Sequence, residues 1–190
     1  MATVQPIKDK VIIEKMKDDL KEAGRTKELA LVTMGLNTGL RISDILNLKW
    51  TDIKTIDGKS VVNITEQKTN KPKRLTLNGN VTTILNELRT EYPNDTYIFQ
   101  VNANNYKATG KPWTRTTAYK VVHTTARRAG FQDTVGTHTL RKTFGYFAHK
   151  AGHSISLLQS IFNHSSQAIT LRYIGITEQQ KESVYLNINL

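Results

Sequence analysis

The spacing of apolar residues changes period twice along this chain, and that change limits the fold more tightly than any single residue does. From Ile7 to Ala23, the residues Ile7, Val11, Ile12, Met16 and Leu20 recur at helical intervals and Gly24 supplies a stop. Thr26 stands where it can cap a second helix through Leu29, Ala30, Val32, Thr33 and Leu36, which Gly39 ends, and a third short helix follows Arg41. After Trp50 the pattern alternates. Ile53 and Thr55 precede the hairpin signal Asp57-Gly58, Ser60 to Thr65 follows, and Lys71-Pro72 turns the chain into Arg74 to Leu77. Helical spacing returns from Asn78 to Glu91, from a Thr114 cap through Val121, Val122, Ala126 and Ala129, from Thr137 to Lys150, and from a Ser154 cap through Ile155 to Phe162. The polar stretch from Val101 to Pro112, rich in Asn, Lys and Gly, predicts a loop. A short helix from Thr177 to about Val184 is expected before the apolar tail Tyr185 to Leu190. These patterns predict an α+β, mainly α-helical fold, with helices around one small three-stranded antiparallel sheet near the N-terminal third. No repeat or linker divides the chain, so residues 1–190 are expected to form one domain.

Composition narrows the partners. The absence of cysteine excludes a disulfide framework and Cys-based zinc sites and fits a cytoplasmic protein. No apolar run reaches membrane-spanning length, and Met1 to Gln5 lacks the regions of a signal peptide. The formal net charge is +11, and between residues 101 and 150 nine Lys or Arg face one acid, Asp133. That field points to a polyanion. The basic residues are spread over several elements rather than along one amphipathic helix, so nucleic acid fits better than a membrane surface.

The positive region surrounds a group of chemically capable side chains. His138 and Arg141 stand three apart, so on a helix both project from one face and can grip a single anion. On its own such a pair is a solvated basic face. It is joined by His164 and, nine residues later, by Tyr173 at the end of a short amphipathic segment. His149 and His153 have zinc-pair spacing, but Gly152 interrupts the helix and no glutamate or third ligand accompanies them, so no metal or other cofactor is expected.

Taken together, Thr38-Gly39-Leu40-Arg41 with Asp44 three residues on, Lys68-Thr69 in the second hairpin turn, His138-Thr139-Leu140-Arg141, Asn163-His164-Ser165-Ser166 and Arg172-Tyr173 resemble the ordered boxes of the tyrosine recombinases, the phage integrase family. The resemblance covers roughly residues 7 to 185. It implies catalytic roles for Arg41, Lys68, His138, Arg141, His164 and Tyr173, with Asp44 supporting Arg41. Tyr173 would be the nucleophile, forming a covalent 3′-phosphotyrosine. Arg41, Arg141 and His164 would hold the non-bridging oxygens, Lys68 would act as acid and His138 as base or phosphate ligand. Lys71 and Lys73 compete with Lys68 from nearby. Backbone contacts to double-stranded DNA are expected from Lys71, Lys73, Arg74, Lys111, Arg115, Lys120, Arg127, Arg128 and Lys142. The resemblance also implies a tetramer on DNA with contacts through the C-terminal tail. Two departures stand out: Asn163 replaces the usual Gly, and no upstream DNA-clamping domain is expected. A type IB topoisomerase resembles the same fold and site, and a silent DNA-binding regulatory module is the third reading; the complete set of boxes favours the recombinase.

Overall fold

The computed structural model describes residues 3–102, 108–176 and 186. Eight α-helices and a three-stranded sheet appear among them in the order α1 (Lys10–Glu22), α2 (Thr26–Thr38), α3 (Ile42–Leu46), β1 (Ile53–Ile56), β2 (Lys59–Thr65), β3 (Pro72–Thr76), α4 (Gly79–Glu91), β4 (Gln100–Asn102), β5 (Ala108–Pro112), α5 (Arg115–Arg128), α6 (Thr139–Lys150), α7 (Ile155–Phe162) and α8 (Gln167–Tyr173). The antiparallel order β1-β2-β3 is the sheet predicted from the alternating stretch. No helix among the described residues is long and apolar enough to cross a membrane.

Helix α2 is the axis of the fold. Its Ala30, Leu31 and Met34 join α3, β2, α4 and α5 in one apolar cluster, whereas its Val32 joins α1, α5 and α6 in a second. A helix that is apolar nearly all round must be covered on every side. The third cluster, built from Leu158, Phe162 and Ile174 with Phe144 and Tyr173 beside them, packs α7 and α8 onto α6. A buried polar knot locks α2 to the connection after α4: Lys27 Nζ donates to Asp95 Oδ2 at 2.8 Å, to the Gln100 carbonyl at 2.9 Å and to Asn102 Oδ1 at 2.6 Å. Every hydrogen of that buried ammonium is used, so its burial leaves no donor unsatisfied.

Caps explain where the boundaries differ from the sequence expectation. Helix α1 begins at Lys10 rather than Ile7 because the Asp9 side chain accepts from Val11 N, leaving Ile7 in the preceding segment and fully buried. Thr26 is the first helical residue of α2, and Arg25 occupies the cap without a side-chain bond. Helix α6 starts at Thr139 rather than Thr137. His138 holds the cap position, and the Thr139 hydroxyl accepts from Gly136 N at 3.0 Å. Within the expected loop at residues 101–112, residues 101–102 and 108–112 belong instead to the paired strands β4 and β5, continued by the Trp113 N–H on the Phe99 carbonyl at 2.7 Å, and residues 103–107 lie outside the described residues. Its polar composition reflects a ribbon edge, not the lack of a ladder. The helix expected from Thr177 to Val184 lies outside the described residues, as does the tail save Leu186.

The segment before α1 straps the far end of the chain. Gln5 N bonds the Thr134 carbonyl at 3.0 Å, Ile7 N bonds Thr143 Oγ1 at 2.8 Å, and Lys8 Nζ bonds the Gly175 carbonyl at 2.9 Å.

Helices α2 and α6 cross where a side chain is missing. A Cβ built on Gly35 would lie 2.8 Å from Leu140 Cβ, a distance that forces the helices apart. Gly35→Ala should therefore destabilise the fold by about 1–3 kcal/mol. Urea unfolding should show a lower midpoint with an unchanged slope.

Candidate active site

The site is assembled at the C-terminal end of α7. The last turn of a helix leaves carbonyls without partners and carries partial negative charge, so it attracts cations. Here Lys73 Nζ donates to the Ile161 carbonyl at 2.8 Å, Arg141 Nη2 to the Phe162 carbonyl at 3.1 Å, and Arg41 Nη2 reaches the same oxygen at 3.5 Å. Arg41 arrives from the turn after α2, which Gly39 makes in the left-handed region at φ 59°. Arg141 arrives from α6, lies over the Phe162 ring, and also donates through Nη1 to the Gly39 carbonyl. The two guanidiniums are thus fixed to each other through backbone oxygens.

The counter-charge is Glu66, which the sequence reading did not single out. Its side chain is fully buried at the end of β2. Oε2 lies 2.9 Å from Arg41 Nη1 and accepts from Thr69 Oγ1 at 2.8 Å and Asn163 Nδ2 at 2.8 Å, while Oε1 takes Lys73 Nζ at 3.3 Å. Burial alone would raise its pKa. The hydrogen bonds from Thr69 and Arg41 and the charges of Lys73 and Arg41 outweigh burial and hold it at about 2. Asp44, expected to hold Arg41, stands farther off at 4.0 Å and accepts instead from Gln67 N at 3.1 Å.

Asn163 accounts for its own departure from glycine. It closes α7 at φ 55°, ψ 45°, a left-handed cap that Gly or Asn can adopt. The turn sends the chain into His164, whose Nδ1 lies 3.1 Å from Thr170 Oγ1, and then into α8, capped by the Ser166 side chain. Tyr173 ends α8. Its hydroxyl is 3.1 Å from His138 Nδ1, and its ring meets that of His164 edge-on at 4.8 Å. Burial raises the phenol's pKa, opposed by the charge and hydrogen bonding of Arg141 and the charge of Arg41. Burial, followed by the charges of Arg141, Arg115, Lys142 and Arg41, lowers the pKa of His138. His164 is lowered by burial and by Arg141, Arg41 and Lys68. Both imidazoles are therefore neutral at pH 7.

Of the nominated catalytic residues, Arg41, His138, Arg141, His164 and Tyr173 converge. Lys68 sits exposed at the tip of the β2–β3 turn, close enough for its charge to act on His164. Two expected surface contacts turn inward. Lys73 is drawn onto Glu66 and Ile161, and Lys142, 7% exposed, donates to the Val4 carbonyl at 2.7 Å with its ammonium 5.1 Å from the Tyr173 ring centre. Lys71, Arg74, Lys111, Arg115, Lys120 and Arg128 are exposed, and Arg127 is tied to the Phe131 carbonyl at 2.6 Å. Spacing gives no warning of a lysine that folds inward. The signal for Glu66 was a lone acid in a run of basic hairpin residues.

The sequence pattern of the phage integrase family matches residues 9–180. The probable integrase/recombinase YoeC of Bacillus subtilis strain 168 is 37% identical over 187 residues, covering 97% of each chain. Other curated relatives are longer, and the chain spans 55%, 53% and 56% of three of them. Among solved structures, the XerA recombinase is similar with a TM-score of 0.78 at 21% identity, over 100% of this chain and 67% of that one. XerH in a pre-cleavage complex with its difH substrate gives 0.72 at 20% identity, over 97% of this chain and 55% of that one.

The depressed Glu66 carboxyl makes stability depend on pH in a defined window. A folded-state value of about 2 against an ordinary 4.5 means that the contribution is complete above pH 4.5 and disappears as pH falls toward 2. The wild-type chain should lose on the order of 3 kcal/mol over that interval through this one group. Denaturant unfolding measured along the pH series should show that loss in wild type and its absence in Glu66→Gln.

Proposed function

The chain belongs to the phage integrase family, and on that premise we propose that it is a site-specific recombinase that cleaves and rejoins DNA through a 3′-phosphotyrosine on Tyr173. One observation carries this reading: the Tyr173 hydroxyl stands 3.1 Å from the neutral His138 beside two arginines fixed on one carbonyl. A phosphodiester is the anion such a cradle fits. The Tyr173 oxygen attacks phosphorus as His138 Nδ1 takes the phenolic proton. The bond to the 5′ oxygen then breaks, and Lys68 supplies the proton that this oxygen needs. Arg41 and Arg141 stabilise the added negative charge of the crowded transition state. His164 Nδ1 lies 3.1 Å from the Thr170 hydroxyl, a contact that orients the ring and leaves Nε2 for a non-bridging oxygen. The phosphotyrosine conserves the bond energy, so rejoining is the same step in reverse.

The partner is double-stranded DNA, held through its backbone by the exposed Lys71, Arg74, Lys111, Arg115, Lys120 and Arg128. The likeness to XerH, whose structure holds its difH substrate, supports this assignment. The same reading extends to a tetramer on DNA whose subunits exchange contacts through the C-terminal tail.

Two experiments test these roles. On a nicked suicide duplex of the attachment site, wild type should accumulate a covalent adduct that Tyr173→Phe cannot form, with DNA affinity retained. A phosphotyrosine mapped to Tyr146 or Tyr185 would overturn the assignment. Lys68→Ala should slow cleavage by about 10² to 10⁴, the range for loss of a general acid. A 5′-bridging sulfur, whose leaving group needs no proton, should restore most of that rate. If Lys73→Ala shows the sulfur rescue while Lys68→Ala cleaves normally, the acid is Lys73.

A further inference from the structure

Resting on the recombinase reading, we infer that Glu66 is a positioning residue of the reaction, setting Arg41 against the scissile phosphate and, through Asn163, tying the β2–β3 hairpin to the turn that presents His164.

Each donor on this carboxylate belongs to, or adjoins, the reacting set. Arg41 is its ion-pair partner at 2.9 Å; Thr69 is the neighbour of Lys68; Asn163 is the neighbour of His164; and Lys73 bridges from Glu66 to the Ile161 carbonyl of α7. The backbone of the same residue closes the turn that carries Lys68, with Glu66 N on the Lys71 carbonyl at 2.9 Å and Asn70 N on the Glu66 carbonyl at 2.9 Å. Three segments far apart in sequence therefore meet on one side chain. Arg41 has few other ways to be fixed. Its Nη2 contact to the Phe162 carbonyl is long at 3.5 Å, and Asp44 is 4.0 Å away. Glycine at position 163 would satisfy φ 55° equally, so the Asn163 amide adds a bond to Glu66 that the backbone does not require. A fully buried carboxylate so placed orients a guanidinium before the phosphate arrives, which is the arrangement that lowers a barrier without reorganisation.

The test uses the full chain and single-turnover cleavage of suicide duplexes. Glu66→Gln keeps the shape and removes the charge, and should slow cleavage by about 10² through displacement of Arg41, with DNA affinity little changed. The diagnostic is the pattern of rescue. A duplex with methyl in place of one non-bridging oxygen at the scissile phosphate lacks the charge that Arg41 neutralises. Glu66→Gln and Arg41→Ala should both regain ground on it relative to wild type, and a 5′-bridging sulfur should rescue neither. Asn163→Gly, which preserves the cap, should show a smaller loss with the same pattern, and it carries the test if Glu66→Gln does not fold. Wild-type rates in both variants, rescue by sulfur, or a loss that neither substrate relieves would each overturn the assignment to Arg41. Adduct formation by wild type separates this outcome from failure of the recombinase reading, in which no duplex yields an adduct at all.

Discussion

Three cations from three different elements end on the last two carbonyls of α7: Lys73 on Ile161, and Arg41 and Arg141 on Phe162. The rest of the site depends on that convergence. Side chains of this length lose much rotamer freedom when held, and a free guanidinium in water would have to be gathered at the moment of reaction. Here the helix terminus supplies acceptors that are unpaired by the geometry of the helix itself. The cradle is therefore anchored on backbone oxygens, which cannot titrate or swing away, with the Glu66 carboxylate as the closer partner of Arg41.

Concentrating like charges has a cost, and the molecule meets it unevenly. Arg141 is 3% exposed and forms no ion pair among the described residues; the backbone and the Phe162 face solvate it. Arg41 and Lys73 share Glu66. Removing either partner from such a group leaves a buried charge uncompensated, so the cluster is both well fixed and fragile. The phosphate of a bound duplex would bring the missing negative charge. The clustered cations favour an added anion at this point, and this ties the positive field to the site more closely than net charge does.

Much of this was legible in the sequence because it rests on local rules. Asp57-Gly58 gave the first hairpin, Gly39 the end of α2 before Arg41, and Ser154 the cap of α7. The convergence of Arg41, His138, Arg141, His164 and Tyr173 followed from a resemblance whose boxes keep their order. What stayed hidden depends on tertiary direction. Whether Lys142 faces solvent or the Val4 carbonyl is decided by which segment lies across α6, and that segment is more than a hundred residues away. Glu66 was unread for the same reason: an acid at a strand end is commonplace until Arg41 and Asn163 arrive from either side. The pairing of residues 100–102 with 108–112 was missed because turn-rich composition is shared by loops and by short ladders.

The strap of residues 3–8 has a consequence for the order in which the molecule is made. Its bonds to Lys142, Thr143 and Gly175 span 138, 136 and 167 residues. These contacts are among the most non-local the chain contains, and a chain that emerges from the ribosome N-terminus first must hold the strap unpartnered until α6 and α8 appear. Helix α2 and the sheet can gather around Arg41 well before then. Tyr173 is synthesised after the other nominated catalytic groups, and the strap, made before all of them, bonds the Gly175 carbonyl two residues beyond it. A nascent chain thus carries Arg41 and Arg141 before it carries Tyr173, and the cluster is complete only when the strap and the segment after α8 have met.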